Sequence, residues 1–162
     1  MFLLRLAQWL NETRWSVAIR ESDLVFPLIE TVHILALSAS VGLVLWVDLR
    51  LIGLAMRNKA VSDIVEQLKW WMRGGFAVMF LSGSLLLYSE PLKCFNATSF
   101  RLKVLFLALA GVNAVIFHTT IYRRVDQWDR VAVAPLQARL AGYFSLTLWL
   151  GVIIAGRWTA YF

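Results

Sequence analysis

Four apolar runs, each closed at both ends by charged residues, set the tightest limit on what this chain can fold into. They lie between Glu30 and Asp48, Arg73 and Glu90, Lys103 and Arg123, and Arg139 and Arg157, with separations of 18, 17, 20 and 18 residues. At the rise of an α-helix each run covers roughly 25–30 Å, close to the hydrocarbon thickness of a bilayer. Four matched lengths predict four membrane-spanning helices, at about 27–56, 73–90, 101–123 and 136–161. Pro27 suits the first turn of the first. With 60% hydrophobic and 16% charged residues, the 162-residue chain is too apolar for an ordinary soluble domain. The expected fold is all-α: a single integral membrane domain, 1–162, forming a four-helix bundle.

The formal charge of +6 does not point to nucleic acid. The basic residues sit mostly at the ends of apolar runs, where they anchor and orient spans, and no basic stripe is interleaved with aromatics. Four crossings place both termini on one side, here called T, opposite side L. Side L carries nine basic residues and side T seven, so the positive-inside rule makes L cytoplasmic and puts the termini outside. The bacterial cytoplasmic membrane is the expected location. Cys94, the single cysteine, excludes an internal disulfide and any multi-cysteine metal site.

Outside the spans the signals are local. The N-terminus lacks the unbroken core and cleavage site of a signal peptide. Phe2, Leu6, Trp9 and Leu10 share one helical face and Arg5, Gln8 and Glu12 the other, which predicts an amphipathic helix at about 2–15 lying in the membrane interface; burial of that face against the bundle is the alternative. Val61–Trp71 starts with Asp63 and Glu66 in a capping-box-like arrangement and predicts a surface helix leading into the second span. The tryptophans gather near span ends, as interfacial anchors do.

Ionisable groups within spans are costly and mark candidate sites. Glu30 and Asp48 are five full turns apart and project in one direction, with His33 and Ser40 nearby, making a polar stripe toward the bundle interior. One reading is structural: Glu30 pairs with Arg157 or Lys103, and Asp48 with a side-L arginine such as Arg123. The histidines suggest a second reading, because imidazole is the usual axial ligand of haem b in membrane bundles. His33 falls near side T and His118 near side L, roughly 15–18 Å apart in depth, too far for one iron in an untilted bundle. A haem held by one histidine and a second ligand at its own level is the alternative, with Met79 as partner for His118 and with Arg157 or Lys103 for propionates. Each histidine also has a plain reading as a hydrogen-bonded core residue. Glu30-x-x-His33 matches a di-iron spacing, but the other spans lack the further carboxylates such a centre needs.

Several stretches taken together resemble a known family: Phe26-Pro27-Leu28-Ile29-Glu30-Thr31-Val32-His33, Val47-Asp48-Leu49-Arg50-Leu51-Ile52-Gly53, Phe100-Arg101-Leu102-Lys103, Asn113 with Phe117-His118, and Ala155-Gly156-Arg157. Their order is similar to that of an uncharacterised bacterial family of four-span membrane proteins, a domain of unknown function. A fainter similarity, resting on the early histidine and the Leu-Arg-Leu at the far end of the first span, links the chain to membrane protoporphyrinogen oxidase and copper-resistance permease-like proteins. That likeness implies porphyrin binding with His33 at the matching position. The expected activity is therefore that of a haem- or porphyrin-associated redox membrane protein. The alternatives are a non-catalytic subunit docking to other membrane subunits or to a second copy, and a small-solute or metal-ion permease.

Overall fold

The computed structural model describes residues 2–159, and every regular element among them is helical. The Phe2 side chain and the expected end of the fourth span at residue 161 lie outside the described residues. Two short helices, α1 (Phe2–Asn11) and α2 (Arg14–Arg20), precede α3 (Val25–Leu51) and α4 (Val61–Ser89). A six-residue α5 (Pro91–Asn96) leads into α6 (Thr98–Ile116), and α7 (Leu136–Thr159) closes the chain. Beyond Ile116 the α6 helix continues as a π-helical turn, Phe117–Ile121, and then a 3-10 turn, Tyr122–Gln127. Three helices are long and apolar enough to cross a membrane: Val25–Leu51, Thr98–Gln127 and Leu136–Thr159.

The four long helices form an antiparallel series in the order α4, α3, α7, α6. Ser40 lies against Gly75 and His33 against Gly83, so a step forward on α3 matches a step back on α4. Asp48 of α3 meets Ser145 of α7, and the backbone of Gly142 approaches Asp48, Leu51 and Ile52. Between α6 and α7, Phe106 faces Gly151 and Lys103 faces Gly156, while the Asn113 amide donates to the Ala141 carbonyl at 3.0 Å. Small residues at these crossings bring helix backbones close, which is what packs helices where no hydrophobic drive separates lipid from protein.

Two apolar layers hold the bundle. One, near the α3–α4 turn, joins Val47, Leu51, Val61, Ile64, Val65, Phe117 and Ala138. The other joins Met79, Ala110, Trp149 and Val152, with Phe76 stacked on Trp149 at 5.5 Å. Elsewhere the long helices turn large apolar side chains outward, including Leu35, Leu81, Val115 and Phe144. That surface needs a hydrocarbon solvent rather than water.

The helix ends explain the connections. Arg50, fully buried, donates to the carbonyls of Lys59, Asp129 and Val131 and so ties both turns at this end to α3. The start of α4 is not capped by its own Asp63 or Glu66. Asp129 instead reaches across, accepting from Ser62 N at 2.8 Å and Ser62 Oγ at 2.6 Å, which satisfies donors that every helix N-terminus leaves open. Burial pushes the Asp129 carboxyl up, but these hydrogen bonds and Arg130 hold it below its ordinary value. At the other end of α4, the Ser89 carbonyl receives Ser16 Oγ and Arg20, latching α2 onto the helix. Leu6 and Trp9 of α1 stay exposed while Ala7 is buried. Leu10, on the same face as Leu6 and Trp9, is half-buried, and Arg5 and Gln8 are exposed.

Candidate functional site

Between α4 and α6 the bundle does not close. A cavity of about 760 Å³ opens there, with α3 and α7 behind it. Its size is that of a small-molecule or cofactor pocket. Each wall follows from helical periodicity. On α4 the lining residues Lys69, Met72, Arg73 and Phe76 recur at three- and four-residue spacing, the pattern of one helix face. On the α6 side Ala110, Asn113, Ala114, Phe117 and His118 do the same. Gly111 also lines it, and an added Cβ there would meet nothing within 4 Å.

Polar groups occupy distinct parts of the cavity wall. At the back, Asp48 is 5% exposed; it accepts a hydrogen bond from Ser145. Its other oxygen, Oδ2, has no hydrogen-bond partner among the described residues. Such an atom is expensive to bury unless something donates to it. His118 stands on the π-helical turn, a local widening found often at functional sites. Its ring is held edge-on by Tyr122 at 5.5 Å, and the positive charge of Arg73 acts on it across the cavity. From α4, Arg73 adds a cation, while Lys69 is paired with Glu66, which lines the same cavity.

His33 is placed differently. Its Nδ1 lies 3.0 Å from the Met79 carbonyl and 3.0 Å from Ser82 Oγ. Ser82 Oγ donates its own proton to the Val78 carbonyl at 2.7 Å, so both neighbours of Nδ1 are acceptors and the proton resides on Nδ1. His33 is thereby pinned to α4 above Gly83. Lys103 is close enough to act on it electrostatically, and the Lys103 chain lies over Gly156, next to the exposed Arg157 near the end of α7.

The structure thus gathers His118, Asp48, Asn113 and Arg73 around one space and leaves His33, Lys103 and Arg157 at the other end. Met79 does not face His118. It is buried beside Ala110 and Trp149, and its carbonyl belongs to His33. Helix α4 starts at Val61, so Arg73 lies well inside the helix and lines the cavity, with Met79 further along. Met72, one turn from Phe76, is the methionine that shares the cavity with His118. Among the described residues the salt bridges are Lys69–Glu66 and Lys93–Glu90. Asp48 has Ser145 as its partner, Arg123 lies on the outer side of the 3-10 turn, and Glu30 is exposed at the start of α3. No group of three or more metal-ligating side chains occurs among the described residues.

Residues 23–162 match the family described as "Family of unknown function (DUF6644)". The chain belongs to this family. The match takes in α3 to α7, and with them every residue lining the cavity; α1 and α2 precede it. No curated protein and no solved structure matches the chain.

Proposed function

We propose that this is a four-span integral membrane protein that holds a planar, carboxylate-bearing ring in the cavity between α4 and α6, with haem b as the ring and a redox role as its use. The observation that carries this reading is His118 on its π-helical turn, facing a 760 Å³ cavity walled by Phe76, Phe117 and Trp149 with Arg73 alongside. Neutral imidazole is an axial ligand, aromatic and aliphatic walls suit a macrocycle, and cations suit its propionates. Met72 on the facing helix offers a thioether to the same space. When bound, the haem would supply the one-electron chemistry, and the chain would supply the ligand, the apolar walls and the counter-charge.

The fourth crossing rests on packing. Helix α4 lies antiparallel along α3, with His33 at Gly83 and Ser40 at Gly75, and a helix laid along a bilayer-length partner traverses the same depth. Its run of charges, Asp63 to Arg73, lowers its own hydropathy, but several of these side chains face the cavity or solvent. The charge count of the loops supports a cytoplasmic membrane with both termini outside.

Expression with ample haem followed by purification tests the proposal. A Soret band is expected, lost in His118→Ala and kept in His33→Ala. A colourless protein under those conditions refutes the cofactor.

A further inference from the structure

A second recess lies on the outside of the bundle, where the 3-10 turn after α6 meets the start of α7. It has a volume of about 740 Å³ and is lined by Arg123, Arg124, Gln127, Gln137, Thr119 and Thr120, among others. Arg124 leaves helical geometry, with φ −109° and ψ 22°, and this kink lets two consecutive arginines line the same recess. Neither guanidinium has an ion-pair or hydrogen-bond partner among the described residues, and no carboxylate lines the recess. The threonine hydroxyls donate to the Val115 and Ile116 carbonyls at 2.7 and 2.6 Å. The free donors are therefore the two guanidinium groups and the two carboxamides. Gln137 sits in the first turn of the 24-residue α7, where open backbone N–H groups add partial positive charge.

We infer that this recess binds the phosphate of an anionic phospholipid, whose acyl chains run down the groove between α6 and α7. The lipid, rather than a soluble phosphate, is indicated by what continues from the recess. Val115 and Ile116, one turn before Thr119 and Thr120, are exposed, as are Leu140 and Phe144 along the same side of α7. Basic recesses at the membrane boundary between spans are a recurrent way of holding lipid head groups, through the positive charge they place beside the phosphate.

Native mass spectrometry of the delipidated full-length chain, titrated with phosphatidylglycerol or phosphatidylcholine, provides the test. Phosphatidylglycerol should bind preferentially. At about fivefold for each cation held near the surface, R123Q/R124Q should bind it about 25-fold more weakly, while R123K/R124K, which keeps the charge, should retain most of the binding. Equal affinity for the two lipids, or unchanged binding in the glutamine pair, overturns the inference. So does a lysine pair that loses as much as the glutamine pair, because packing rather than charge is then being read. Inorganic phosphate that displaces the lipid at equal concentration assigns the recess to a free anion instead and also defeats it.

Discussion

Gly75→Ala should destabilise the protein in its natural background and stabilise it when Ser40 is replaced by alanine. The added methyl group would collide with Ser40 Oγ, which is fully buried and already donating to the Ala36 carbonyl at 2.7 Å. Two effects oppose each other. Replacing glycine by alanine in a helix interior gains about 1 kcal/mol, whereas forcing an extra carbon into a packed crossing costs about 1–3 kcal/mol. The net change is a loss of about 0–2 kcal/mol. With Ser40→Ala the colliding oxygen is gone and the next atom, the residue 40 Cβ, is 3.5 Å away, an ordinary contact. The propensity gain then stands almost alone, since a serine bonded back to its own helix adds little. The coupling between the two sites is thus about 1–3 kcal/mol. Reversible unfolding of the four variants in mixed micelles, followed by circular dichroism, measures it. A Gly75→Ala effect that is the same within about 0.5 kcal/mol on both backgrounds would show that α3 and α4 do not cross in this register.

Gly111→Leu should abolish ring binding in the cavity without lowering the melting temperature, because a Cβ there meets open space; a retained Soret band with unchanged intensity would count against the cavity as the binding place. Asp129→Ala should cost about 1 kcal/mol near neutral pH through loss of the α4 cap. Since hydrogen bonding lowers the folded-state pKa of Asp129, its contribution is complete above its unfolded value of about 4 and fades as pH falls through the lower folded value. The melting-temperature gap between the natural chain and the alanine variant should therefore narrow from pH 7 to pH 3, and a widening gap would contradict the assignment. Cys94 should alkylate slowly at neutral pH, because burial and the neighbouring Glu90 push its thiol up; labelling as fast as a free thiol would show that α5 does not shelter it.

The apolar runs after Glu30, Lys103 and Arg139 led directly to α3, α6 and α7, because length and hydropathy are properties of contiguous sequence. The run after Arg73 was less informative. A charge reads as a boundary only if it faces the head groups, and Arg73 turns toward a cavity that no local pattern announces. That same displacement made Met79 look level with His118, when Met72, two turns earlier on nearly the same face of α4, is the methionine that lines the cavity. The separation of the two histidines was legible from depth alone. The cavity was not, since it arises where two helices distant in sequence fail to meet. Neither was the α4 cap, since Asp129 lies 67 positions from Ser62.

Arg50 has a consequence for the order of assembly. Its guanidinium is wholly enclosed, and two of its three acceptors, the carbonyls of Asp129 and Val131, belong to a segment made long after α3 itself. On the proposed four-span reading, the α3–α4 hairpin can insert while the chain is being synthesised, but its turn retains an unsatisfied cation that holds it near water. Only when the segment beyond the third long helix arrives do the acceptors that let Arg50 withdraw become present. The first hairpin is thus kept provisional until the third long helix is in place, and truncation before residue 129 should leave it open to proteolysis.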